Sequence, residues 1–309
     1  MHPAYSVILF TTASGAGYGL LALLGLVGFN HGQSSSLAFG LTAMGVALGL
    51  ITVGLLSSTF HLGHPERAWR AFSQWRSSWL SREGVAAVIT YVPALLFGLA
   101  WSGLIEAPGL IGPLGLLTAA MAMVTVFCTA KIYSTLTTIR AWNNALTVPV
   151  YLAFSLATGA ALLAAITSVF GNFPGFLVIL SCLLLALTIA LKLAYWHRID
   201  TAPRDRTIES ATGLGAIGRV SQWEVPHTSE NYVQKEMGYA VARKHAAKLR
   251  RLVIVALALA IALLVASLVL PASALPAAAL ALLAAVVERW LFFAEAQHVV
   301  TLFYGAKAA

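Results

Sequence analysis

Residues 57–83 read SSTFHLGHPERAWRAFSQWRSSWLSRE, a polar, aromatic-rich stretch that sets His, Arg and Glu between two long apolar runs. Each flanking run is about 20 residues long, enough to cross a hydrocarbon core as a helix. Across 309 residues the chain is 59% hydrophobic and 10% charged, more apolar side chain than a soluble domain could bury. The bilayer is therefore the expected solvent. Gly63 and Pro65 break the helix that His61 ends, and residues 66–79 read as an interfacial segment rich in Arg and Trp. A histidine at such an edge can exchange protons while its neighbours still see hydrocarbon.

Working outward, hydropathy predicts an all-α membrane protein, a bundle of eight transmembrane helices at roughly 5–29, 37–61, 84–104, 110–133, 146–170, 174–197, 251–271 and 276–304. Residues 1–309 form a single integral membrane domain, with 198–250 as a long cytoplasmic loop between helices six and seven. The first ten residues, MHPAYSVILF, lack the charged lead and small-residue cleavage site of a signal peptide, so the first span is expected to be retained. Gly15, Gly17 and Gly19, with Gly45 and Gly49, are expected on packing faces. Pro93 and Pro149 are expected as mild kinks or first-turn residues.

Basic residues fall on one side. Arg67, Arg70, Arg76 and Arg82 separate helices two and three; Lys131 and Arg140 separate four and five; ten more lie between six and seven, with Lys192 just before them. The opposite loops, around 30–36, 106–109, 171–173 and 271–276, contain no Lys or Arg. The positive-inside rule then predicts a multi-pass protein of the bacterial inner membrane with both termini cytoplasmic. Within the long loop, Trp223, Tyr232 and Tyr239 could form a docking surface, and the basic run leading into helix seven could meet anionic headgroups.

Cys128 and Cys182 are the only cysteines, each in an apolar segment, so no iron–sulfur, zinc or disulfide framework is expected in this chain. Polar residues at membrane depth are costly, which makes the remaining ones candidates. On helix eight Glu288 and Arg289 are expected as a structural ion pair. Glu295 shares a helical face with Glu288, and His298, three further on, would complete a proton relay with it. Helix four brings Lys131 and Tyr133 to the edge that holds His61; Tyr133 could offer a hydroxyl to a quinone oxygen and Lys131 could stabilise charge there. Ser81 and Glu83 read as a cap for helix three. His64 reads as surface. Two other readings remain open: a haem b-type quinol-oxidising anchor, with His61 and His298 as axial ligands, and a proton-coupled transporter, which calls for inverted repeats and broken helices that the sequence does not reveal.

The segments HLGHPERAW (61–69), LSRE (80–83), KIYSTLTTIRAW (131–142) and ERWLFFAEAQHVVTLFYG (288–305) resemble the membrane anchor subunits of the dimethyl sulfoxide reductase family. The resemblance implies a haem-free, eight-helix protein that oxidises menaquinol, with ubiquinone as a second candidate. Electrons would pass to an iron–sulfur subunit and on to a molybdopterin catalytic subunit that reduces an S- or N-oxide in anaerobic respiration. Those subunits and membrane lipid are the expected partners, with no nucleic acid. The resemblance assigns menaquinol binding to His61 and Glu83, extended less specifically to Lys131, Tyr133, Arg67 and His64. No metal ligand is expected. Loop 198–250 looks longer than in the best-known members.

Overall fold

The computed structural model describes residues 5–171, 174–203, 206–224, 229, 245–304 and 306; the side chain of His61 lies outside the description. Among the described residues eight helices are long and apolar enough to cross a membrane: α1 (Tyr5–His31), α2 (Leu37–Ser57), α3 (Trp79–Trp101), α4 (Pro108–Ser134), α5 (Thr147–Val169), α6 (Gly175–Thr201), α7 (Ala246–Ala266) and α8 (Ala274–Ala294). This is the expected all-α, eight-span bundle.

The most buried helix is α1, which packs on α2, α4 and α5. Backbones meet there without side chains between them. A Cβ on Gly19 would overlap the Ser155 carbonyl of α5, and one on Gly25 would overlap the Gly115 carbonyl of α4. Small residues supply this approach because lipid gives helices no hydrophobic reason to associate. Gly17 lies close to α2, where a Cβ would fall 2.7 Å from the Ala47 carbonyl, whereas Gly15, Gly45 and Gly49 have nothing within 4 Å of a Cβ and are not packing faces as expected. Around this centre α3 pairs with α4, α5 with α6 and α8, and α7 with α6 and α8. Within α1, residues Phe10–Ser14 form a π-helical turn, an irregularity that often marks functional positions.

Several helix ends differ from the hydropathy reading. The seventh span runs Ala246–Ala266 rather than 251–271; the second ends at Ser57 rather than 61, and the sixth at Thr201 rather than 197. Two further differences have a visible cause. The third span starts at Trp79 rather than 84, because Arg82 folds back and donates to the carbonyls of Trp75 (3.0 Å) and Arg76 (2.6 Å), closing off the interfacial segment before it. The eighth stops at Ala294 rather than 304. Glu295 is drawn to Arg250 of α7, at 2.7 Å, and the Val299 amide donates to the Thr138 carbonyl at 3.1 Å.

The start of α1 lies on the face that carries residues 57–83, as the Ser57 hydroxyl donating to the Ser6 carbonyl (3.1 Å) demonstrates. Loops on this face are tied together. Arg140 donates to the carbonyls of Ala202 and Pro203, Arg206 to that of Thr137, and Gln222 to that of Phe303. The long loop contains a short helix, Ile208–Thr212, with a Thr207–Ser210 capping box. Trp223 is 97% exposed; Tyr232 and Tyr239 lie outside the described residues.

Candidate functional site

Glu83 sits one turn inside α3 and is 4% exposed. It is not the cap it resembles, because the helix already begins at Trp79. Its carboxylate instead accepts a short hydrogen bond from the Thr129 hydroxyl of α4. Thr129 also bonds the Thr125 carbonyl at 3.1 Å, and the Thr125 hydroxyl pairs with that of Thr90 at 3.1 Å. A carboxylate buried with a neutral partner and, among the described residues, no cation in contact is costly and needs a reason.

Beside it, Trp79 is flanked by two cations, with the Arg82 guanidinium 4.3 Å and the Lys131 ammonium 5.4 Å from the ring centroid. Cations held on an aromatic face at a membrane edge form a positive, partly apolar rim. One turn past Thr129, Tyr133 is buried in an aromatic box of Trp142, Tyr151, Phe292 and Phe293, with centroids 5.2–5.8 Å away.

The interfacial segment is a 3₁₀ helix, Pro65–Phe72. Here His64 and Arg67 share one partner, Glu66, at 3.0 and 3.6 Å, in an exposed cluster. Neither is bonded to Glu83. The backbone of His61 ends a 3₁₀ turn, Ser58–His61, directly after α2.

Deeper in the bundle Glu288 and Arg289 form the expected ion pair, at 2.7 Å. Lys192 completes it by contacting the other Glu288 oxygen. All three are at most 4% exposed. Lys192 is therefore not one of the edge cations with which its sequence position groups it. The Arg289 guanidinium lies 3.7 Å from the Tyr151 ring centroid, and the Lys192 ammonium 4.0 Å from that of Tyr195. Two cations on one anion leave the cluster formally one charge positive.

A small cavity of about 20 Å³ lies between Glu83's partner and this cluster, lined by Thr12, Ser14, Tyr18, Thr129, Tyr151 and Arg289 among others. That volume holds about one water. The π-helical turn of α1 lines it too, so Thr129 touches Glu83 and also borders this water-sized void.

Glu295 and His298 do not form the expected relay, since the helix ends before them. Glu295 accepts from Arg250, which also holds Asp200 through two bonds at 2.6 and 3.0 Å. Burial pushes the Glu295 carboxyl up, opposed by Arg250. His298 makes an antiparallel bridge to Ile139, and its Nδ1 accepts from the Val300 amide at 3.0 Å. Burial holds its ring below the ordinary histidine value. Among the described residues, no three His, Cys, Asp or Glu side chains cluster as a metal site.

These features define a polytopic membrane protein with a buried carboxylate on α3 and a buried charged cluster between α6 and α8. The chain belongs to the DMSO reductase anchor subunit (DmsC) family, whose sequence model matches residues 1–306. It is similar to the C subunit of sulfite dehydrogenase from Allochromatium vinosum, 32% identical over the full length of both proteins. It is also similar to the corresponding C component of the anaerobic dimethyl sulfoxide reductase of Haemophilus influenzae, 28% identical over 46% of this chain and 50% of that one.

Proposed function

We propose that this anchor exchanges electrons and protons between membrane quinone and a docked partner, with the quinone head at the rim formed by Trp79, Arg82, Lys131 and Glu83. The observation that carries the reading is Glu83, buried beside a cationic aromatic rim with the Thr129 hydroxyl as its one hydrogen-bond partner among the described residues. Menaquinol loses two protons and two electrons on oxidation. Glu83 can take a proton from a bound hydroxyl, and His61, at the end of its 3₁₀ turn, is the second candidate acceptor. Arg82 and Lys131 would stabilise negative charge on the head as protons leave. The electrons must go to the partner, because two cysteines on different helices supply no cluster ligand set. Family membership supports iron–sulfur and molybdopterin subunits in that role, and the charge bias supports docking on a cytoplasmic face.

A second reading runs the same site in reverse, with quinone reduced by electrons from the partner. Its support is the full-length similarity to a sulfite dehydrogenase component, against half-length similarity to a sulfoxide reductase component. Purification of the tagged protein from its native membrane in mild detergent tests both. Co-purifying molybdenum and iron–sulfur subunits, with quinone-linked turnover, are expected. Oxide reduction by menaquinol supports the first direction and sulfite oxidation by a menaquinone analogue the second. A protein that purifies alone, or brings down haem, contradicts the proposal.

A further inference from the structure

Between α2 and α3 the chain runs through a basic, aromatic segment at the edge of the bundle. Its 3₁₀ helix, Pro65–Phe72, packs chiefly on α3 and on the Ser58–His61 turn. The Phe72 ring lies against Gly84, where a Cβ would fall 3.1 Å from it. Gly84 is five residues past the start of α3, about 7.5 Å along the axis. The segment therefore lies beside the first turns of α3, at the level where a span enters the membrane, and not over the centre of the bundle. Trp69 and Trp75 turn outward from it, 65% and 53% exposed. Each carries a guanidinium, Arg70 at 5.7 Å from the Trp69 ring centroid and Arg76 at 5.4 Å from that of Trp75. Among the described residues neither arginine side chain has a hydrogen bond or an ion pair. Glu66 is the one acid in residues 57–79, and it is taken by His64 and Arg67 at 3.0 and 3.6 Å.

We propose that this segment binds an anionic phospholipid, whose negative head is held by Arg70 and Arg76 while Trp69 and Trp75 sit among its glycerol esters. Position supplies the lipid. A segment joined to a span at either end, and lying beside one of them, is bordered by headgroups, where an indole can bury its apolar body and still bond its N–H. Charge selects the sign of the head. Two guanidiniums without a protein carboxylate are uncompensated at the membrane surface; an anionic head supplies the missing charge, whereas a zwitterionic head brings a cation of its own. The Arg–Trp contacts keep both guanidiniums at the depth of the rings instead of extended into water. Lipid binding here does not depend on whether the neighbouring rim of Trp79, Arg82 and Lys131 takes quinone.

The test is photo-cross-linking in the purified complex, reconstituted into vesicles of equal phosphatidylglycerol and phosphatidylethanolamine with matched acyl chains. Benzoylphenylalanine replaces Ala71, exposed beside Arg70. As a reference it replaces Leu104, 53% exposed in the loop after α3, which has no Lys or Arg. Mass spectrometry of the cross-linked chain counts the two lipids. Phosphatidylglycerol should exceed phosphatidylethanolamine several-fold beside Arg70 and match the bulk ratio at the reference site. An arginine at an anionic surface is worth about fivefold in binding, so Arg70→Gln with Arg76→Gln should bring the first ratio down to bulk. Arg70→Lys with Arg76→Lys, which keeps both charges, should retain most of the enrichment and guards against misfolding of the glutamine variant. A bulk ratio beside Arg70 in the otherwise unaltered chain would overturn the proposal. So would an unchanged ratio in the glutamine variant, loss of enrichment in the lysine variant, or cross-links to a partner subunit in place of lipid.

Discussion

The Glu83 carboxylate of α3 and the Thr129 hydroxyl of α4, 46 residues apart in sequence, are hydrogen-bonded inside the bundle. Thr129→Val would leave the carboxylate buried without this donor. Quinone-linked turnover should fall about 5- to 100-fold, the equivalent of losing one buried hydrogen bond to a charged group. Thr129→Ser should restore most of it. Equal losses in Val and Ser variants would show that packing, not the hydroxyl, is at issue.

Lys192 and Arg289 are both held by Glu288 in a fully buried cluster. Glu288→Gln removes the anion from between two cations, at a cost of about 3–5 kcal/mol. The expected readout is loss of the monodisperse peak in detergent and a lower inactivation temperature. Adding Lys192→Met should recover part of the loss by removing one uncompensated charge.

Gly19 and Gly45 provide a matched pair. A methyl at Gly19 meets the Ser155 carbonyl, whereas at Gly45 it meets nothing within 4 Å. Gly19→Ala should abolish assembly of α1 against α5. Gly45→Ala should be neutral or stabilising by up to about 1 kcal/mol, as alanine favours helix over glycine. Melting curves of the two variants in the same detergent check this.

The His298 ring, partly buried, lies below the ordinary value of 6.5 in the folded chain, and its Nδ1 lone pair is used by the Val300 amide. The sign follows from the unfolded ring binding protons first. The segment 295–304 is most stable above about pH 6.5 and loses stability as pH falls from there through the lower folded value. Glu295, pushed up by burial, titrates with the opposite sign. Hydrogen exchange of this segment, corrected for intrinsic rates, should therefore speed up between pH 7.5 and 5.5, and His298→Gln should flatten the change.

Span number, the basic face and the Glu288–Arg289 pair were legible because hydropathy, loop charge and adjacent residues are local properties. Other features were set by tertiary partners. Glu83 was recognisable as a functional candidate but not as a buried group, since Arg82 folding onto the carbonyls of Trp75 and Arg76 decides where α3 starts. Lys192 read as one of the basic residues just before the long loop. Its partner lies 96 residues away on α8, and only their packing buries it. The break after Ala294 was hidden for the same reason, because Arg250 and Thr138, which draw the chain away from the helix axis, belong to other elements.

The most direct test of a quinone site at Glu83 is Glu83→Gln in the purified complex, assayed both with a quinone and with a soluble artificial redox dye. Loss of a positioned proton acceptor predicts a fall of about 100-fold or more in the quinone-linked rate, with dye-linked activity of the partner unchanged. Quinone-linked turnover within about twofold of wild type, well short of the loss expected for a proton-transferring group, would contradict the account.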